Sequence, residues 1–301
     1  RLDVLSPLAG HALAALVVGS LALVAWRRAR MAVLVAGCLA IVLAHAAPAL
    51  DTPPAPAVLR AAALDTAEVL AGADRLVVLQ INTWHSNRAP DRLVAYLEAS
   101  DADVVLLSEF GPEKQELVGR LARRFPHVAG CAEYWPCSQM LLSRRPLAAS
   151  GTRLPDASGP PIVWAHLAGS GGRADVTVVG THLYRPTRDY DLHQRHLAGL
   201  ARFVAGIEGE VIVAGDLNMT AWSKAHATFM SETGLAASPT RLPTWPAWPL
   251  TLPQFQIDHL LATPGLTIER QAAGPYIGSD HLPLVSVVRL PARTRLVAER
   301  R

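Results

Sequence analysis

Two kinds of hydrophobic pattern divide this chain. Leu8 to Trp26 is apolar except for His11 and Ser20, and Met31 to Leu50 is apolar again, with His45 near its far end. Each run approaches the roughly 20 apolar residues that a membrane-spanning helix needs. The basic stretch Arg27-Arg28-Ala29-Arg30 joins them. The pattern predicts an N-terminal transmembrane helical hairpin over residues 1–50. By the positive-inside rule the Arg cluster stays cytoplasmic, so everything after Leu50 is expected outside the cytoplasm, held at the cell (inner) membrane. Two runs with a basic link between them fit a cleaved signal peptide poorly. Residues 51–75 are expected to be a Pro-rich linker. There Pro53-Pro54-Ala55-Pro56 favours extended backbone, and Leu59 to Leu70 has the spacing of a short amphipathic helix at the membrane surface.

From Leu76 onward, short apolar runs alternate with helix-spaced segments. Strands are predicted at Leu76–Ile81, Asp103–Leu107, Met140–Ser143, Ile162–Leu167, Val176–Thr181, Val211–Ala214, Ile257–Leu261 and Leu284–Val288. Helices are predicted at Pro90–Ala99, which starts on a proline whose missing N–H costs nothing there, and at Pro112–Phe125 and Arg188–Ala205. Helices early and late, with paired strands between, point to an α/β fold over residues 76–301. The expected form is a four-layered sandwich of two mixed β-sheets flanked by helices.

Composition sharpens this picture in two places. Half of the 301 residues are hydrophobic, and the excess sits in the first fifty. The net charge is +3, but six Arg lie before Leu76 and five more from Arg289 to the end, leaving 17 basic and 19 acidic residues between Leu76 and Val288. Sequence-independent duplex binding rests on a basic face, and this balance does not require one. The Arg-rich tail is expected to be a solvated end or a contact for anionic lipid. Of three cysteines, Cys131 and Cys137 flank the loop Cys-Ala-Glu-Tyr-Trp-Pro-Cys. They form either a disulfide in an oxidising compartment or two free thiols, and no zinc-type Cys/His spacing is present.

Polar residues cluster where the predicted strands end: Asn82, Glu109, Thr181-His182, Gly215-Asp216-Leu217-Asn218, Asp258, and Ser279-Asp280-His281. Hard cations such as Mg²⁺ take oxygen ligands, which Asn82, Glu109, Asp216, Asn218 and Asp280 offer. The histidines suit proton transfer and hydrogen bonds to phosphoryl oxygens. Each cluster alone is a weak signal. In this order, over about Leu76 to Leu290, they resemble the endonuclease/exonuclease/phosphatase superfamily, in its deoxyribonuclease-like branch. Gly215-Asp216-Leu217-Asn218 and Ser279-Asp280-His281 are the most specific pieces.

The resemblance implies a metal-dependent phosphoesterase that uses Mg²⁺, with Mn²⁺ as a substitute. Asn82, Glu109 and Asp280 are then the metal residues. Asp216 binds or orients the attacking water, and Asn218 contacts the scissile phosphate. His281 is general base or transition-state stabiliser, with Asp258 fixing its tautomer. His182 contacts a phosphate oxygen and protonates the leaving group. The second glutamate that supports such a histidine in this branch has only Glu133 as a nearby counterpart, at a poorly fitting position. The implied substrate is nucleic acid or a phospholipid or small phosphoester, and the lipid bilayer is the expected partner of the hairpin. A catalytically retired, membrane-tethered binding module is the second reading, and the completeness of the polar set weighs against it. His85, Asn87, Tyr184 and Arg185 are candidates for the pocket rim. Arg144 is read as a turn residue, His259 as pointing away from Asp258, and Trp245 and Trp248 as lining a cleft, touching the membrane interface or packing a loop.

Overall fold

Two β–α–β units deliver their strand ends to one edge of the molecule. The computed structural model describes residues 9–25, 33–40, 75–131, 137–169, 171–249, 251 and 254–292. β1 (Arg75–Asn82), α1 (Pro90–Ala99) and β2 (Val104–Ser108) form the first unit, whose strands pair in parallel. Then come α2 (Glu116–Leu121), β3 (His127–Gly130), β4 (Met140–Ser143), β5 (Ala149–Arg153) and β6 (Ile162–Leu167). β7 (Val176–His182), α3 (Tyr190–Ala205) and β8 (Glu210–Asp216) form the second parallel unit. α4 (Lys224–Thr233), β9 (Ala236–Ala237), β10 (Asp258–Ala262), β11 (Thr267–Ala273) and β12 (Leu284–Arg289) complete the elements of the sandwich.

The strands make two six-stranded mixed sheets, ordered β11-β12-β1-β2-β4-β3 and β5-β6-β7-β8-β10-β9. A dry core lies between them. Leu76, Val78, Val104 and Leu106 of the first sheet belong to one cluster with Val176, Val178, Ile212, Ala214 and Leu260 of the second. The alternate side chains face the helices. Leu79, Ile81, Val105 and Leu107 pack with Leu93, Leu97 and Leu117 of α1 and α2. Val179, Val211, Val213 and Leu261 pack with Leu197, Leu200 and Phe229 of α3 and α4. Both faces of the central strands are therefore buried, which is why their sequences are continuous apolar runs. The expected four-layered sandwich is the fold.

The remaining strands are the ones that the hydrophobic pattern does not announce. β3, β5, β9 and β11 occupy the four sheet edges. The edge strand Ala149–Arg153 has no buried residue and Thr267–Ala273 is only partly buried, so they need no apolar run. The helix expected over Pro112–Phe125 is broken into a 3₁₀ turn at Pro112–Lys114 and the short α2. α4 escapes the pattern because its apolar face is weak; Ser223 caps it by accepting from the His226 N–H at 3.1 Å. In the turn after β4 the Arg144 N–H donates to the Asp103 carbonyl at 2.8 Å, and the Arg145 side chain pairs with the Asp103 carboxylate at 3.2 Å.

Cys131 and Cys137 are joined in a disulfide, Cα to Cα 5.8 Å. Near the N-terminus, Ala9–Ala25 is a 17-residue helix with Val18 and Leu21 exposed, and residues 33–40 are also helical. Among the described residues no helix is long and apolar enough to cross a membrane. The Arg27-Arg28-Ala29-Arg30 link, most of the expected second span, the Pro-rich linker with its Leu59 to Leu70 helix, Glu133, and the tail beyond Ala292 lie outside the described residues.

A buried histidine pair gives the fold a pH dependence. His226 of α4 stacks on His259 of β10, centroids 5.2 Å apart. Burial, and then the neighbouring His259, hold His226 down to about 3, against an ordinary 6.5. Between those values the unfolded chain binds a proton that the folded chain excludes. The contribution of His226 is therefore full above pH 6.5 and falls by up to about 1.4 kcal/mol per pH unit on acidification. Urea unfolding at pH 7, 6 and 5 is expected to show this slope, and His226→Phe to flatten it; an unchanged slope in the variant refutes the assignment.

Candidate active site

Along each central strand the side chains facing the opposite sheet begin as core residues and end polar. On β1 the sequence Leu76, Val78 is followed on the same face by Gln80 and Asn82; on β8, Ile212 and Ala214 are followed by Asp216. His182 ends β7 and Asp258 starts the antiparallel β10 on the same inward register. A period of two is what puts them there, because a shift of one residue would turn each toward the helices. Gly215 allows β8 to lie close to β7: a Cβ at that position would sit 1.9 Å from the Thr181 carbonyl oxygen.

The polar ends meet across the two sheets. The Asn82 amide donates to Glu109 Oε1 and to Asp216 Oδ2, both at 3.1 Å, and its own oxygen accepts the Trp84 N–H at 2.9 Å. His182 Nε2 lies 3.4 Å and His281 Nε2 3.8 Å from Asp216 Oδ2. His281 Nδ1 is 2.7 Å from Asp258 Oδ2. Asp258 also accepts from Gln80 Nε2 at 2.9 Å and from Thr244 Oγ1. The ligand atoms of Asp216, Asp258 and His281 all lie within 4.8 Å of one another, a spacing that a cation could bridge. However, both oxygens of Asp258 are already engaged by donors that orient His281. This trio consists of one hydrogen bond, between Asp258 and His281, followed by the 3.8 Å ion-pair contact from His281 to Asp216, and the remaining carboxylates of the site are those of Glu109 and Asp280.

Glu109 stands one residue past the inward register and reaches the site through a left-handed backbone, φ 52°. Its carbonyl is held by Lys114 Nζ and Thr83 Oγ1, each at 2.9 Å. Its carboxylate accepts the His85 N–H and faces His85 Nδ1, both at 2.9 Å, with the Arg185 guanidinium 3.7 Å away. Burial opposes its ionisation, but the charge of His182 and the bonds from His85 and Asn82 outweigh burial and hold it down to about 2. Asp216 moves the other way: burial raises its carboxyl despite the two histidines. Burial would lower His281, yet ionised Asp258, then Asp216 and Asp280, push it up to about 10. Asp258 in turn is lowered, the charge and hydrogen bond of His281 overcoming its burial.

Asp280 is raised by burial and further by the charge of Glu109. Its Oδ2 accepts from Trp245 Nε1 at 3.4 Å, while its Oδ1 is buried with no hydrogen-bond partner. An orphaned carboxylate oxygen repelled by a second carboxylate fits a hard divalent cation. Asn218, at φ 47°, follows the Asp216 turn, where its N–H meets Asp216 Oδ1 at 3.0 Å; its side chain donates to the Leu183 carbonyl at 2.9 Å.

The structure thus gathers Asn82, Glu109, His182, Asp216, Asp258 and His281 through direct contacts, with Asn218 on the adjoining turn and Asp280 joined electrostatically. His259 turns away, its Nε2 2.8 Å from the Met219 carbonyl. His85 and Arg185 are at the rim, against Glu109. Gln80, Thr244, Thr83, Lys114 and Trp84 were not foreseen. Gln80 had a signal, being a polar residue two positions before Asn82 in an apolar run; Thr244 and Lys114 had none. The Asp280 environment yields a test. Asp280→Asn is expected to raise the melting temperature of metal-free protein by about 2–4 °C, the shift that ~1 kcal/mol makes in a domain of this size, and to abolish any rise on adding Mg²⁺. A lowered metal-free melting point, or a retained Mg²⁺ effect, contradicts the repelled-carboxylate reading.

Residues 79–281 match the model of the "Endonuclease/Exonuclease/phosphatase family". Among solved structures, the chain resembles sphingomyelinase C from Streptomyces griseocarneus (20% identity, 71% of this chain and 99% of that one, TM-score 0.52). It also resembles a double-mutant beta toxin from Staphylococcus aureus with bound magnesium ions (14%, 70% and 98%, TM-score 0.55). D. rerio TDP2 complexed with single strand DNA product is a third (17%, 71% and 99%, TM-score 0.59). At these identities the likeness is one of fold. A search of curated proteins finds no match.

Proposed function

The chain belongs to the endonuclease/exonuclease/phosphatase family, and from that premise we propose that it is a divalent-metal-dependent phosphoesterase hydrolysing phosphodiester bonds, held at a membrane by its N-terminal segment. The observation that carries the reading is the buried Asp258–His281 pair aimed at Asp216, beside the carboxylates of Glu109 and Asp280.

Glu109 and Asp280 would hold the ion, together with Asn82 once its amide oxygen, which accepts the Trp84 N–H in the structure, turns to it. Their oxygen chemistry favours Mg²⁺, with Mn²⁺ as a substitute, and the magnesium in the Staphylococcus aureus neighbour supports this choice. When bound, the ion offsets negative charge on the phosphoryl oxygens. Asp216, whose carboxyl burial raises above the ordinary carboxylate value, orients water for in-line attack and, while ionised, accepts its proton. His281, kept charged by Asp258, presents an imidazolium to the phosphoryl oxygens and stabilises the transition state. His182, 3.4 Å from the same Asp216 oxygen, hydrogen-bonds phosphate and protonates the leaving oxygen. Asn218 spends one N–H on Leu183 and keeps the second for phosphate. Sphingomyelinase C and the DNA-bound TDP2 support phosphodiester substrates of either lipid or nucleic-acid type.

The full chain is expected to hydrolyse bis-p-nitrophenyl phosphate with Mg²⁺ and to lose turnover on chelation. His281→Ala should cost on the order of 10²–10⁴-fold, the usual share of a proton-handling group, and Glu109→Ala should abolish Mg²⁺ dependence. Folded protein that neither binds Mg²⁺ nor turns over any phosphoester contradicts the proposal.

For the anchor, the two apolar runs and the disulfide, a bond of oxidising compartments, support a hairpin with the catalytic domain outside the cytoplasm. The full chain should stay in the membrane pellet after alkaline carbonate washing and be digested by protease added to spheroplasts. Release by carbonate, or protection from protease, argues against this topology.

A further inference from the structure

An aromatic platform borders the pocket, and none of the chemical steps uses it. Trp84 lies two residues beyond Asn82 and donates its N–H to Asn82 Oδ1 at 2.9 Å. Its φ of 53° is left-handed, a strained conformation for a bulky residue that persists only where its surroundings impose it. The indole placed this way lies against Trp248, ring centroids 5.4 Å apart and planes tilted by 38°. Trp248 is 51% exposed. Its loop is fixed to the other side of the site: Trp245 Nε1 reaches Asp280 Oδ2, and the Ala247 N–H donates to the Asp280 carbonyl at 2.7 Å. The exposed indole is therefore tied through its neighbours to both Asn82 and Asp280. Arg185, against Glu109, adds a guanidinium to the same rim, and His85 an imidazole.

The chemistry of this platform selects a flat ring carrying a phosphate. An open indole face stacks any nucleobase without reading its sequence. In a duplex both faces of a base are covered by its neighbours, so only an unpaired or terminal nucleotide can lie on Trp248. A quaternary ammonium headgroup calls for an enclosing set of aromatic faces, and Arg185 disfavours a cation beside it. Resting on the phosphodiesterase reading above, we propose that Trp84 and Trp248 form a nucleobase-stacking subsite, which makes single-stranded nucleic acid the preferred substrate.

The test uses the full chain in EDTA, so that binding is measured apart from metal chemistry. Fluorescence anisotropy with a short 3′-labelled oligothymidylate and with a blunt duplex of equal length should show preference for the single strand. Trp248→Ala should weaken single-strand binding about tenfold, within the range found for base–aromatic stacking, and Trp248→Phe should restore most of it. With Mg²⁺, the selectivity for thymidine 5′-(p-nitrophenyl phosphate) over methyl p-nitrophenyl phosphate should fall by a similar factor in Trp248→Ala. Single-strand binding that depends on Trp248 in a protein without turnover keeps the subsite and removes the phosphodiesterase. Equal affinity for duplex, unchanged binding in Trp248→Ala, or Trp248-dependent binding to phosphatidylcholine vesicles with none to the oligonucleotide overturns the proposal.

Discussion

The pleat of the central strands governs where each polar residue of the site stands. Because side chains alternate across a strand, the inter-sheet face of β1 runs from Leu76 and Val78 to Gln80 and Asn82 without a change of direction. The same holds on β8, up to Asp216. Burial of the apolar half locks the register, and the register then positions the polar half. The two parallel pairs, β1–β2 and β7–β8, bring their carboxyl ends to the same edge, which is where open α/β sheets place their ligands. Gln80 and Asn82 of one sheet hydrogen-bond to Asp258 and Asp216 of the other, so the site itself joins the sheets where the dry core ends.

Concentrating charge at that edge works against stability. Asp216, Asp258 and His281 are almost wholly buried, and a buried charge is tolerated only when paired and hydrogen-bonded. Asp258 meets this condition fully through Gln80, Thr244 and His281. Asp280 does not, having one orphaned oxygen and a carboxylate neighbour. Backbone strain gathers at the same place: Trp84, Glu109 and Asn218 all have left-handed φ, and Lys114 and Thr83 clamp the Glu109 carbonyl. Such features persist where function holds them against their cost.

The neighbours that share this fold carry different names, and at 14–20% identity they have little sequence in common with this chain. What varies on such a scaffold is its loops. In this chain the loop after β1 supplies Trp84 and His85, the one after β7 supplies Tyr184 and Arg185, and the stretch before β10 supplies Thr244, Trp245 and Trp248. The hydrogen bonds from Trp84 to Asn82 and from Trp245 to Asp280 attach two of these loops to polar residues of the site.

Much of the scaffold was legible along the chain. β1, β2, β4, β6, β7, β8, β10 and β12 announced themselves because strands buried on both faces must be apolar throughout, and α1 because Pro90 marks its first turn. The polar residues that end those runs marked the site one by one, and Asp216-Leu217-Asn218 and Ser279-Asp280-His281 carried the resemblance to a family. The edge strands β3, β5, β9 and β11 left no such mark, since a half-exposed strand is free to be polar. Nor did the chain reveal that Gln80 and Thr244 orient Asp258, that Lys114 holds Glu109, or that Trp84 meets Trp248. Those contacts join residues far apart in sequence or set by an unusual φ. Local periodicity records which face of a strand is dry, whereas which strand ends meet depends on the order and facing of the two sheets, a property that exists only once the whole domain is folded.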